Sequence, residues 1–273
     1  MLFKQKPKLI VILALSIVLV SACSVFLIHK NRSAYTPAID ESFTPSADIT
    51  YSPSVNAINT PSADVTYIPA TDVYEFPITA DKTPDEWKEL EDYSEKLAVL
   101  QIPEDVLATI STKGLFETCL NYPFIINMLM FNYYQDAFDS LCSFNGLQEL
   151  LKRPDAGSII LSYYKSIDFN NLEKYSNFPS CFITYIEMML AQDSILSGME
   201  PSERKELLDL ALKKHKKNAS SLTDIWIGRI LKIESKEFQE YLKQNPKDKE
   251  FIDRVPVVST PPDWDKIVEK FVR

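Results

Sequence analysis

The sequence predicts an all-α fold, an irregular multi-helix bundle or short α-superhelix of about ten helices. Helix-start words punctuate the C-terminal two thirds: TPDEW, IPED, PDAG, PSC, PSER and TPPDW. Between them apolar residues recur at helical spacing. Sustained alternation bounded by hairpin turns is nearly absent, and the chain has 5 glycines in 273 residues.

In TPDEW, Thr83 stands at N-cap, Pro84 at N1 and Glu86 at N3, a capping box with proline in its favoured place. Trp87, Leu90, Ser94 and Leu97 then share one helical face. A second helix begins at Pro103, and STKGLFETCLNYP gives a third, stopped before Pro123. Residues 123–144 are apolar on nearly all sides and read as two helices. Asn145-Gly146 reads as a turn, LQELLKR as one more segment, and a new start follows Pro154. PSCFITYIEMMLAQDSIL is apolar almost all round from Cys181 to Ala191, which puts it at the centre of the core. PSERKELLDLALKKHKK has acids early and bases late, as a helix dipole favours. Helices within 223–244 and near 247–253 follow, and Thr260, Pro261, Asp263 and Trp264 start the last one.

What precedes residue 83 has a different composition. Residues 1–32 hold Lys4, Lys6, Lys8, Lys30 and Arg32 with no acid, whereas residues 33–81 hold seven acids and no Lys or Arg. Three regions are therefore expected: an anchor or signal peptide (1–32), a disordered stalk (33–82) and a helical extracytoplasmic domain (83–273). The stalk is a tandem repeat, because prolines at 37, 45, 53, 61, 69 and 77 fall every eight residues. Its octads read YTPAIDES, FTPSADIT, YSPSVNAI, NTPSADVT, YIPATDVY and EFPITADK. Each proline removes a sheet donor and apolar side chains are sparse, so an extended spacer is expected rather than a solenoid. Six octads reach roughly 150 Å as polyproline or roughly 40 Å as flexible coil.

Leu9–Ile28 is 20 residues without a charge, about 30 Å of helix and enough to span a bilayer. The basic flank keeps the N-terminus in the cytoplasm and sends the rest of the chain outside. Val20-Ser21-Ala22-Cys23 offers a second reading. It resembles the lipobox of bacterial lipoproteins, which implies cleavage before Cys23 and lipid on its thiol. The apolar run Ser24–Ile28 favours an uncut anchor instead. Both readings make the membrane a partner, through residues 9–28 or lipidated Cys23. Farther on, ETCLNYP and FDSLCSFNGLQELLKRPDAG resemble a loose group of uncharacterised helical ectodomains of bacterial surface proteins, which implies an all-α extracytoplasmic fold and no activity.

Chemistry-bearing words are scarce. No phosphate-cradling glycine loop, nucleophile elbow, HExxH or CxxC occurs. No cofactor or metal is expected, and the net charge of −9 disfavours nucleic acid. Cys119, Cys142 and Cys181 have apolar neighbours and read as buried thiols. His215 is the one candidate base, though Lys213, Lys214, Lys216 and Lys217 around it read as a basic helix end. Those four lysines are also candidate contacts for an anionic wall polymer. Glu86, Glu89, Glu91 and Asp92 march along a solvated helix rather than flanking a cleft. The expectation is a non-enzymatic binding or scaffold module for a protein or wall component, with a tethered hydrolase as the alternative.

Overall fold

The computed structural model describes residues 67–217, 221–257 and 263–272, all within one compact unit. The expected anchor at 1–32, with Cys23 and residues 9–28, and the first four octads lie outside the described residues. Among the described residues no helix is long and apolar enough to cross a membrane.

The described part is all-α, with fourteen α-helices, two short 3-10 helices and one isolated antiparallel bridge between Tyr133 and Pro256. The helices are α1 (Pro84–Glu89), α2 (Tyr93–Val99), α3 (Glu104–Thr109), α4 (Thr112–Leu120), α5 (Tyr134–Leu141), α6 (Asn145–Leu150) and α7 (Ala156–Ser166). They continue as α8 (Pro179–Leu190), α9 (Asp193–Gly198), α10 (Pro201–Lys217), α11 (Ser221–Glu234), α12 (Lys236–Gln244), α13 (Pro246–Arg254) and α14 (Trp264–Phe271). The 3-10 helices are Pro123–Met130 and Leu172–Lys174.

Fourteen rather than ten arise because local caps cut segments that share one apolar periodicity. Asp92 accepts from the Glu95 amide at 3.0 Å, which ends the first face at Glu89 and opens α2. Ser235 accepts from the Phe238 amide at 3.1 Å and separates α11 from α12. The expected capping box at Thr83 does not form. Instead the Thr79 amide donates to Thr83 Oγ1 at 3.0 Å, and the Thr83 hydroxyl donates to the Thr79 carbonyl at 3.2 Å. Asn145 is the first residue of α6 rather than a turn, with its side chain clasping the Ile102 amide and carbonyl at 2.9 and 2.8 Å.

Two helices organise the core. The expected central segment forms α8, in which Phe182, Tyr185, Ile186, Met188, Met189 and Leu190 are buried. It meets α5, α7, α9, α11 and the first 3-10 helix. The second centre is α11, packed on α8, α9, α10, α12, α13 and α14. Arg229 of α11 is buried and donates to the carbonyls of Ala191, Ile252 and Asp253 at 2.8, 3.1 and 3.0 Å. One side chain thereby satisfies the C-terminal carbonyls of α8 and α13, where a cation is favoured. Desolvation lowers its pKa from the ordinary arginine value.

The last two octads differ from the expected spacer. Residues 67–82 lie on the helical unit, with Phe76 and Thr79 buried and the Tyr74 amide bonded to Thr118 Oγ1 at 2.9 Å. The reason is a departure from the repeat. Phe76 occupies a position where the first four octads carry Thr or Ser and the fifth carries Ile68, and its ring packs 5.8 Å from Phe144 and 6.0 Å from Tyr122.

Candidate functional site

Among the described residues, a cleft of about 490 Å³ lies between α4, α7, α8 and the octad segment. Its walls are aromatic. Tyr175 and Phe182 stack at 5.9 Å with 15° between planes, and Tyr163 of α7 meets Tyr67 edge-on at 4.8 Å. Half-buried Tyr163 reaches the cleft from the edge of the buried face of α7, whereas Phe182 belongs to the buried face of α8 and forms the floor. Polar groups join the rings at the rim: Glu117, Asn121, Ser166 and Lys174. The Lys174 ammonium sits 4.7 Å over the Tyr175 ring.

Among the described residues, Glu117 is the one carboxylate lining this cleft. Its Oε1 already accepts from the Tyr67 hydroxyl at 3.0 Å and the Ala70 amide at 2.8 Å. That hydrogen bond, after desolvation, holds the Tyr67 phenol well above its ordinary pKa. Flat rings beside an amide, a hydroxyl and an ammonium suit a ligand with apolar faces and polar edges. Among the described residues neither His nor Cys lines the cleft.

The expected site residues separate. Lys213 and Lys216 are exposed on α10, and the Lys217 side chain lies outside the described residues. Lys214 turns inward. Its ammonium donates to Glu187 Oε1 at 2.8 Å, contacts the Tyr164 hydroxyl, and lies 4.8, 5.0 and 5.7 Å from the ring centroids of Tyr164, Phe169 and Trp226. The Tyr164 hydroxyl donates to the same carboxylate oxygen at 2.6 Å. Only 9% of the Glu187 side-chain surface and 21% of that of Lys214 reach solvent.

His215 Nδ1 meets Asp224 Oδ1 at 2.7 Å and its Nε2 meets Asp265 Oδ1 at 3.1 Å. It cross-links α10, α11 and α14 rather than activating a thiol. Cys119, Cys142 and Cys181 are free, and burial raises the pKa of each. Glu86 and Glu89 line a shallow depression with Glu95, while Asp92 caps α2.

Sequence reasoning did not find the cleft, the Lys214–Glu187 pair or Arg229. The aromatic residues of the cleft come from four separate segments, and Glu187 sat unmarked in an apolar run. The available signal was that acid itself: one carboxylate on an otherwise apolar central helix must find a partner. Comparison with known proteins finds no matching family model, curated protein or solved structure.

Proposed function

We propose that this chain is a membrane-anchored extracytoplasmic bacterial protein, held by residues 9–28 or by lipid on Cys23. Its helical unit is a non-enzymatic binding module for a cell-wall component. The observation that supports binding over turnover is the aromatic cleft, whose single carboxylate among the described residues is occupied twice over by the chain's own donors. A hydrolytic site of the two-carboxylate kind needs a second acid at a set separation, and a nucleophilic one needs a base within reach. The uncharged 20-residue run behind a basic flank supports the anchor. The exposed Lys213 and Lys216 add a route to anionic wall polymers that salt weakens.

The test is co-sedimentation of the full chain, in detergent, with purified cell walls. Wild type is expected to pellet with them, and Tyr175→Ala is expected to lose most of that binding. Absence of binding, or release of wall fragments by the wild-type chain, overturns the proposal. Metabolic labelling with a palmitate analogue, comparing wild type with Cys23→Ala, decides between lipid and an uncut helix.

A further inference from the structure

The segment Tyr67–Asp72 is held as a ligand is held. Glu117 Oε1 accepts from the Tyr67 hydroxyl and from the Ala70 amide, at 3.0 and 2.8 Å. The Tyr67 ring lies edge-on to Tyr163, and the Lys113 ammonium stands 4.6 Å over it. The Asp72 carboxylate accepts from the Ser111 amide at 2.7 Å and from the Ser111 hydroxyl at 2.9 Å. Gly114 provides the close approach, since a Cβ there would stand 2.4 Å from Asp72 Oδ1 and 2.9 Å from the Asp72 carbonyl oxygen.

The positions so read are the first, fourth and sixth of the octad, with proline third. Tyr35, Pro37, Ala38 and Asp40 repeat all four residues at the same spacing. The two positions that differ, Ile68 against Thr36 and Thr71 against Ile39, face solvent in the docked copy. Ile68 alone is 72% exposed. The three octads between depart at positions that are read: Phe43 lacks the hydroxyl, Asn56 replaces the carboxylate, and Asn59 replaces the aromatic residue. Within these six residues the differences fall on solvent-facing positions, whereas beyond them Tyr74, whose amide bonds Thr118 of α4, is Ser42 in the first octad.

We propose that the α4 groove is a receptor for this octad, and that Tyr35–Asp40 of a second copy docks there in exchange for the resident Tyr67–Asp72. The exchange remakes the same contacts, so occupancy follows effective concentration, as in other swapped assemblies. A chain's own Tyr35 would have to loop out residues 41–73 while Phe76 stays buried, at a cost in closure entropy. A neighbour's copy instead carries a cost of association, which falls as copies crowd. The groove shares Tyr67, Glu117 and Tyr163 with the aromatic cleft, but docking of the octad does not depend on the cleft's ligand. Only the vesicle setting of its test rests on the proposed anchor.

The test places a diazirine-bearing lysine analogue at position 113 of the full chain and mixes unlabelled with nitrogen-15-labelled copies in vesicles at rising density. Photolysis, digestion and mass spectrometry then identify what lay over α4. The expected product joins α4 of a heavy copy to the Tyr35–Asp40 peptide of a light one, rises with density, and is lost in Tyr35→Ala. Tyr67→Ala is expected to raise its yield about tenfold; the wild-type arm stands alone if that variant does not fold. Products confined to Tyr67–Asp72, a Tyr35 product formed only within one copy, or a yield unchanged by Tyr35→Ala overturns the proposal.

Discussion

Lys213 and Lys214 are adjacent in one basic run, yet the first faces water and the second enters a cage of three rings. Nothing in KKHKK distinguishes them, because which lysine points inward depends on the phase of α10 against α7 and α8. Lys214→Met leaves the Glu187 carboxylate buried beside a phenol alone, so a loss of about 3 kcal/mol is expected. Adding Glu187→Leu to it should restore only part of that loss, since the buried pair is then gone but the buried Tyr164 hydroxyl loses its acceptor. Urea unfolding of the four species checks this, and a single substitution costing under about 0.5 kcal/mol would contradict it. The cysteines make a second prediction at this scale. Burial, with Asp139 adding to it, pushes the Cys142 thiol from 9.0 up to about 12. The folded state therefore binds that proton more tightly than the unfolded chain. Its contribution is complete below pH 9 and is lost as pH rises toward 12. Under reducing conditions the urea midpoint should decline across that interval, and less steeply in Cys142→Ala.

Between elements, the periodicity of apolar residues located nearly every helix but not where one ended and the next began. Asp92, Gln192 and Ser235 each interrupt a continuing apolar face, and a polar residue in such a run reads equally as a cap or as solvent-facing surface. His215 shows the same limit for tertiary links. Its partners lie nine residues on, in α11, and far along the chain in α14. The two partners should respond unequally, because Asp224 is fully buried and the Asp265 side chain is 82% exposed. Asp265→Asn is expected to cost at most about 0.5 kcal/mol. Asp224→Ala leaves His215 unsatisfied on its inner side and should cost about 3 kcal/mol. Equal effects in thermal melts would mean that the clamp does not tie α10 to α11 as described. Gly114→Ala probes a different junction. The added methyl group displaces Asp72, so amide exchange within residues 67–72 is expected to accelerate at least tenfold while α8 stays protected.

The helical unit as a whole begins earlier than its punctuation announces. Pro84 and its capping letters were the visible start, and the octad rhythm made everything before them look like spacer. That rhythm continues unbroken to Lys82, but the second position of the octad changes its chemistry: Thr or Ser in the first four repeats gives way to exposed Ile68 and then to buried Phe76. One aromatic residue at a formerly small polar position converts a repeat into a docked strap, because burying it offsets the entropy of ordering its neighbours. Phe76 then bridges the rings of Tyr74, Tyr122 and Phe144, while Tyr74 and Thr79 hold the strap on either side. A fragment cut at residue 83 would expose that aromatic cluster and leave Glu117 without its two donors. It is expected to lose at least about 3 kcal/mol relative to one that begins at residue 67, from the Phe76 ring alone. Side-by-side urea melts and scattering of the two fragments decide the boundary. Equal midpoints, with the shorter fragment monomeric, would return residues 67–82 to the stalk.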